Sequence, residues 1–312
     1  MKSILIVETD ACTYARELEK QNLPDARILL ATATEEAKAY AAQAQIILGR
    51  PDFVAPLLHL AENLTWVQST YAGIEPLCAA GLRRDYLLTG VKEVFGPLMS
   101  EYVFGQILAR ERHFAQTHEN QQKHHWHPLA YRGLDGLTIG IIGLGSIGCH
   151  VAKTSAHFNM RVLGMKRTAG KIAHVDRIFL PAERSEFFPQ LDYLVITLPD
   201  TPETRGFIRL SDLKMMKETA VLINVGRGVN VCQDDLITAL TSGYIGGAVL
   251  DVFEKEPLPA DSPLWKMEQV TITPHNSAFS FPEQITAIFC SNYRKFCAGE
   301  PLDYVVDFDR NY

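Results

Sequence analysis

Apolar positions along the chain fall in short blocks separated by polar stretches of helical period. Blocks at Ser3–Val7, Arg27–Ala31, Gln45–Leu48, Leu64–Gln68 and Tyr86–Thr89 read as strands, with helical patterns over 11–20, 34–43 and 52–62 between them. Such alternation predicts a parallel sheet covered by helices on both faces. From Gly96 the pattern turns to one long helix. Val103, Phe104, Ile107, Leu108 and Phe114 recur at helical spacing, and Arg110, Glu111 and Arg112 make its solvated face. The polar stretch from His118 to Arg132 then reads as a surface excursion.

A second series of strands follows. Leu137–Ile142 runs straight into Gly143-Leu144-Gly145-Ser146-Ile147-Gly148. Behind that turn, Ile147, Val151, Ala152, Ser155 and Phe158 mark a helix, and Met160–Met165 is the next strand. A buried strand, a glycine turn and a helix within about thirty residues form the unit that a dinucleotide pyrophosphate requires. Gly143 permits the sharp turn, Gly145 lets backbone amides approach the phosphates, and Gly148 allows close helix–strand packing. The free amides near Ser146 and Ile147, with the helix dipole, supply the anion site. Leu191–Leu198, Ala220–Asn224, Gly247–Asp251 and Gln269–Thr273 continue the series as short aliphatic strands, as a sheet buried on both faces demands. Their C-terminal ends, which line the cofactor crevice in such sheets, carry Pro199, Gly226-Arg227-Gly228, Asp251 and Pro274-His275. A last helical pattern begins near Pro282 and is expected to cross back to the first domain.

The predicted organisation is therefore α/β, with two doubly wound parallel-sheet domains and a cleft between them. One is a discontinuous substrate-binding domain, flavodoxin-like, of residues 1–98 and 283–312; the other is a Rossmann dinucleotide-binding domain of residues 99–282. A length of 312 residues suffices for two cores, and 47% hydrophobic with 21% charged residues is ordinary for a globular protein. The net charge of −6 argues against nucleic-acid or anionic-membrane partners. No apolar run approaches a membrane span, and Glu8 and Asp10 interrupt the N-terminal run, which reads as a first strand and not a signal peptide. Six scattered cysteines without a CxxC pair fit a reducing cytoplasm, and Cys149 after the glycine turn reads as a small helix residue. His124-His125-Trp126-His127 has no Cys or carboxylate companion, so it reads as a surface or interface loop, and no metal is expected.

Three polar residues stand after predicted strands: Arg227, Glu256 and His275. Each alone is an ordinary loop residue; converging on one crevice they would form a reaction centre. Their contexts, with the glycine turn, are Leu198–Thr204, Asn224–Gly228, Leu250–Pro257 and Thr273–His275. These five motifs, in order, resemble the D-isomer-specific 2-hydroxyacid dehydrogenases through nearly the whole chain. The length, Tyr71–Glu75 and the ending Val306–Arg310 are most similar to short bacterial glyoxylate/hydroxypyruvate reductases. The resemblance implies that Arg227, Glu256 and His275 are catalytic. It also implies that Asp251 contacts the nicotinamide amide, that Pro199, Thr204, Val225 and Gly226 lie along the cofactor, and that the Ala72 and Gly73 amides hold a substrate carboxylate. A homodimer acting on a small 2-oxo acid is implied as well. Arg50, after the third strand, is a further candidate substrate contact.

The chemistry of these roles is coherent. An arginine fork binds the carboxylate of a 2-oxo acid and polarises its ketone. A protonated histidine beside a carboxylate donates to the ketone oxygen as hydride reaches the carbon. Cofactor choice is also legible. An NAD site places an acid roughly twenty residues past the glycines to accept from the ribose hydroxyl. Here Lys166 occupies that place and Arg167 and Thr168 follow, which favours NADPH while leaving NADH open. The alternatives are a dehydrogenase of the same family for a larger 2-oxo acid, or a non-catalytic nucleotide-sensing protein.

Overall fold

The computed structural model describes residues 1–308. Asp309 and Arg310, the end of the Val306–Arg310 motif, lie outside the described residues. Contacts divide the chain into two units: Met1–Val94 together with the chain from Ser280, and Phe95–Phe279. These junctions lie a few residues before the expected ones, because Phe95 and Gly96 already belong to the long helix that packs on the second unit.

The first unit carries strands β1 (Lys2–Val7), β2 (Ala26–Ala31), β3 (Ile46–Gly49), β4 (Trp66–Ser69) and β5 (Leu87–Thr89). They form one parallel sheet in the order β2-β1-β3-β4-β5, the flavodoxin-like arrangement. Helices α1 (Ala11–Glu19), α2 (Thr34–Ala41) and α3 (Pro51–Val54) connect the strands. The helical pattern expected over 52–62 breaks into α3 and a single 3-10 turn, Ala55–Leu57. Pro56 is the reason: it has no N–H to return to the carbonyl of Asp52, and its ring crowds that carbonyl.

The second unit opens with α4 (Phe95–Glu111) and α5 (Phe114–Gln122). Strands β6 (Thr138–Ile142), β7 (Arg161–Met165), β8 (Arg177–Phe179), β9 (Tyr193–Ile196), β10 (Val221–Asn224), β11 (Gly247–Leu250) and β12 (Val270–Ile272) follow. All seven are parallel, in the order β12-β11-β10-β9-β6-β7-β8. Chain order reverses between β6 and β9, which makes the carboxyl ends of those strands the topological switch point. Helix α6 (Ser146–His157) leaves β6 at that point; α7 (Arg184–Phe187), α8 (Leu210–Leu213) and α9 (Gln233–Thr241) complete the unit. The stretch 118–132 is part helix, since α5 occupies 114–122, yet α5 buries no residue, and Trp126 beyond it is 97% exposed. Arg132 ends this excursion by forking onto Glu111 at 2.8–3.0 Å. Glu111, expected on the solvated face of the helix, is instead buried, because Arg132 and the Tyr193 hydroxyl meet its carboxylate. No helix among the described residues is long and apolar enough to cross a membrane.

Helix α10 (Pro282–Ala298) returns to the first unit. Its Phe289 stacks on the fully buried Trp66 at 5.0 Å with an interplanar angle of 8°. The Trp66 indole N–H donates to Thr89 Oγ1 at 2.8 Å, and the Tyr293 hydroxyl donates to the Pro24 carbonyl at 2.7 Å. The expected crossing back of the last helix is thus anchored by aromatic burial with every polar tip met. Phe289→Ala removes that stack from a closed site and is expected to cost about 3–5 kcal/mol, read as a lowered urea midpoint of the first unit.

Candidate functional site

The glycine turn after β6 is built by steric exclusion. Gly143 has φ +100°, and a Cβ there would meet the Thr197 carbonyl oxygen at 2.9 Å. A Cβ on Gly148 would lie 2.0 Å from the Gly143 carbonyl oxygen, so α6 can start this close to β6 only without a side chain. Gly145 differs. Its φ is −83°, and an added Cβ would have nothing within 4 Å. Nothing in the protein requires glycine there, so the open space is the cradle a bound group would fill. The amides of Ser146 and Ile147 face it in the first turn of α6, and among the described residues neither finds a backbone acceptor. That turn holds no acidic side chain. Unpaired amides, the positive end of a helix and an unfilled glycine cradle fit a dinucleotide pyrophosphate.

Lys166, Arg167 and Thr168 follow β7 directly, Lys166 half-buried and the other two exposed. The nearby Glu203 carboxyl is held below its usual range, first by hydrogen bonds from its own backbone and Thr201, with the Arg167 charge adding to this.

After β9 and β10, two asparagines do what the sequence did not announce. Asn230, fully buried, accepts the Arg227 N–H at 2.9 Å and donates to the carbonyls of Pro199 (3.0 Å) and Thr204 (3.3 Å). Asn224 donates to the Arg227 carbonyl at 3.0 Å and accepts the Gly226 N–H at 3.1 Å. Both backbone groups of Arg227 are thus held by side chains. Thr204 closes the neighbouring loop by donating to the Pro199 carbonyl at 2.6 Å and accepting the Thr201 N–H at 2.8 Å. Val225 is buried beneath, with its N–H on the Ile196 carbonyl at 3.2 Å. A Cβ on Gly228 would overlap the Phe253 carbonyl carbon at 1.8 Å, which presses the Arg227 turn against the segment leading to Glu256.

Asp251, fully buried after β11, organises the last loop. Its carboxylate accepts from Thr273 Oγ1 (2.5 Å) and the amides of Asn276 (2.9 Å) and Ser277 (3.0 Å), and its carbonyl accepts the His275 N–H at 2.9 Å. His275 sits in the left-handed region at φ +52°, and its Nδ1 lies 2.8 Å from Glu256 Oε2. The other Glu256 oxygen accepts the Phe253 N–H at 3.0 Å. The hydrogen bond to Glu256 lifts the His275 pKa above its ordinary value, against burial and the Arg227 charge. Burial raises the Glu256 carboxyl, but the bonds from His275 and Phe253 and the charges of His275 and Arg227 outweigh it, leaving Glu256 below its ordinary value. Arg227, Glu256 and His275 therefore form one electrostatic group. An apolar hollow of about 510 Å³ lies behind the pair, lined by Phe253, Pro257, Leu258, Trp265, Ile272 and Pro274.

In the first unit, Ser69 ends β4, Thr70 comes next, and the turn through Tyr71, Ala72 and Gly73 follows. Ser69 Oγ donates to the Tyr71 carbonyl at 2.7 Å and accepts the Tyr71 N–H at 3.0 Å. Among the described residues the Ala72 and Gly73 amides donate to no acceptor. Arg50 does not reach toward that turn with an open fork: its Nε and a terminal nitrogen bind the two Asp52 oxygens at 2.8 and 3.0 Å. Its guanidinium lies between the rings of Phe53 (4.8 Å) and Tyr71 (5.4 Å). Sequence reading paired Arg50 with substrate; Asp52, two residues on, was the overlooked partner. The His124–His127 segment is exposed, with the rings of His125 and His127 5.3 Å apart.

The fold and this glycine turn define a nicotinamide-dinucleotide-binding protein. Residues 104–277 match the family model of the D-isomer specific 2-hydroxyacid dehydrogenases, NAD binding domain. The whole chain is 45% identical to a D-isomer specific 2-hydroxyacid dehydrogenase family protein from Aeromonas salmonicida, over 99% of both chains with a TM-score of 0.95. An NADPH-dependent glyoxylate/hydroxypyruvate reductase from Sinorhizobium meliloti, solved with NADP and sulfate, is 27% identical over 100% of both chains with a TM-score of 0.88. A D-isomer specific 2-hydroxyacid dehydrogenase from Xanthobacter autotrophicus, solved with NADPH and MES, is 29% identical over 100% of both chains, also with a TM-score of 0.88. The chain belongs to the D-isomer specific 2-hydroxyacid dehydrogenase family.

Asn230→Ala leaves the Arg227 amide without its acceptor, while the Pro199 carbonyl keeps Thr204 Oγ1 and the Thr204 carbonyl keeps the Phe207 N–H. The expected cost is about 1–3 kcal/mol for the one donor left unmet, seen as a lowered urea midpoint of the second unit.

Proposed function

We propose that the protein reduces a small 2-oxo acid, glyoxylate or hydroxypyruvate, to the D-2-hydroxy acid with NADPH. The observation that carries this reading is the His275–Glu256 pair at 2.8 Å with the Arg227 charge felt by both. In this reading the first unit binds substrate and the second binds the dinucleotide, whose nicotinamide supplies hydride to the substrate carbonyl carbon. Gly145, Ser146 and Ile147 would receive the pyrophosphate; Pro199, Thr204, Val225 and Gly226 would line the remainder, and Asp251 would stand at the carboxamide. Lys166, Arg167 and Thr168 take the 2′-phosphate, which a carboxylate in their place would repel. The Ala72 and Gly73 amides hold the substrate carboxylate.

Arg227 polarises the ketone oxygen and compensates the charge that grows on it. His275 Nε2 delivers a proton to that oxygen, while Nδ1 stays bonded to Glu256, which stabilises the imidazolium before transfer. The reaction thus needs His275 protonated and Glu256 ionised. A proton donor so supported also distinguishes this reading from a nucleotide-sensing role, which needs none. The protein is further read as a cytoplasmic homodimer, for which exposed Trp126 and Phe114 offer apolar surface.

NADPH oxidation followed with glyoxylate, hydroxypyruvate, pyruvate and a branched 2-oxo acid tests the reading; no turnover with any of them refutes it. His275→Ala is expected to lower kcat by about two to four decades. Because the His275 pKa is raised, reduction declines as pH rises through a value above that of an ordinary imidazole. Glu256→Gln removes the leading cause of the shift, so the alkaline limb moves to lower pH; an unmoved limb counts against the pairing. Arg167→Ala is expected to weaken NADPH about ten- to a hundredfold, the worth of one charge-assisted contact, with NADH little changed. Equal losses for both cofactors would remove Arg167 from the 2′-phosphate site.

A further inference from the structure

The first unit holds a buried acid that the reduction does not use. Glu8 follows β1 directly, only 3% of its surface reaches solvent, and its carboxylate spans two neighbours. Oε1 accepts the Thr70 hydroxyl at 2.8 Å, and Oε2 accepts the Thr9 N–H at 2.9 Å. Thr70 is the residue from which the Tyr71–Gly73 turn departs, so the chain leaves β4 tethered to this carboxylate. The charged and titratable groups around Glu8 are Arg50 after β3, Tyr14 and Asp10 at the start of α1, and Tyr71 on the turn itself. Asp52 bears on Tyr71 as well. Arg50 is the positive member, and its fork is already committed to Asp52. The donors to Glu8 are the Thr70 hydroxyl and the N–H and hydroxyl of Thr9, the last at 3.4 Å, and none of them is charged.

We propose that Glu8 is a positioning residue of the substrate turn that also gates it by charge: its carboxylate holds Thr70 in place, and its ionisation weakens the binding of an anionic 2-oxo acid at the Ala72 and Gly73 amides. The inference rests on the assignment of those amides to the substrate carboxylate. Glu8 is buried, and the Ala72 and Gly73 amides lie two and three residues beyond the Thr70 it holds. A carboxylate bound there and an ionised Glu8 oppose each other, and the substrate carboxylate stays ionised, so Glu8 is the partner that takes up a proton. Burial already lifts its pKa, against the bonds from Thr70 and Thr9 and the Arg50 charge. Protonation keeps the tether, because a hydroxyl can reverse and accept where it donated before. Coupling is reciprocal: if bound substrate raises the Glu8 pKa by one unit, ionisation of Glu8 weakens substrate tenfold.

The test compares KM and kcat for the 2-oxo acid across pH in the wild-type protein, Glu8→Gln and Thr70→Val. Wild-type KM is expected to be low in acid and to rise about tenfold as Glu8 ionises. Glu8→Gln keeps the shape and both hydrogen bonds without the charge, so its KM stays low across that range, the effect falling on KM and not on kcat. Thr70→Val removes the tether and leaves the charge, so KM rises at every pH while its pH dependence persists. A Glu8→Gln KM that follows the wild-type curve overturns the charge gate, and an unchanged KM in Thr70→Val overturns the tether. Turnover in wild type with either of these results leaves the reductase reading standing. Absence of wild-type turnover with every 2-oxo acid overturns that reading, and this inference falls with it.

Discussion

A carboxylate without solvent contact must be met by donors, and at Asp251 the donors are the loop that carries His275. Thr273, Asn276 and Ser277 all give hydrogen bonds to that side chain, and the His275 amide adds one to its carbonyl. Stranding an ionised group in the interior costs several kcal/mol, so the loop stays closed on Asp251 with a force no surface turn could match. This is what permits His275 a left-handed backbone, a conformation worth about 1 kcal/mol of strain or more in a residue with a β-carbon. The imidazole is aimed by the chain behind it, and Glu256 then needs only to meet a ring already in place.

The other strand ends are fixed by exclusion. Parallel strands deliver their carboxyl ends to one edge, and there the side-chain-free positions Gly143, Gly148 and Gly228 let backbones approach closer than any Cβ permits. Gly145 lacks that excuse, having open space and an ordinary backbone. The contrast separates glycines that packing requires from one that packing does not, a distinction spacing alone does not make.

Much of this was legible before the coordinates, for physical reasons. Strands buried on both faces must be short aliphatic runs, and the blocks ending at Val7, Ile142 and Leu250 are nothing else. Strand β8 went unread because it has three residues and buries one of them fully. Helix α5 went unread because it buries none, leaving no amphipathic stripe to detect. Pro56 was a visible breaker whose effect on the helical pattern over 52–62 was passed over. At the site, Arg227, Glu256 and His275 stood out as polar residues after strands, while their assigned roles came from resemblance. Asn224 and Asn230 did not stand out, since an asparagine in a loop is ordinary until its partners are known. For Asn230 those partners include carbonyls 26 and 31 residues away.

The same chemistry is set to opposite ends in the two units. Glu256 is bonded to an imidazole and an amide and feels a guanidinium, so its ionised form is favoured despite burial. Glu8 has two hydroxyls and an amide, none of them charged, and burial prevails over these bonds and the Arg50 charge, so the neutral form gains. What sets them apart is the partner each is bonded to: Glu256 meets an imidazole that carries charge when protonated, whereas the donors on Glu8 are neutral. A charged donor favours an ionised carboxylate about twice as strongly as a neutral one, so two acids of one chain are pushed in opposite directions.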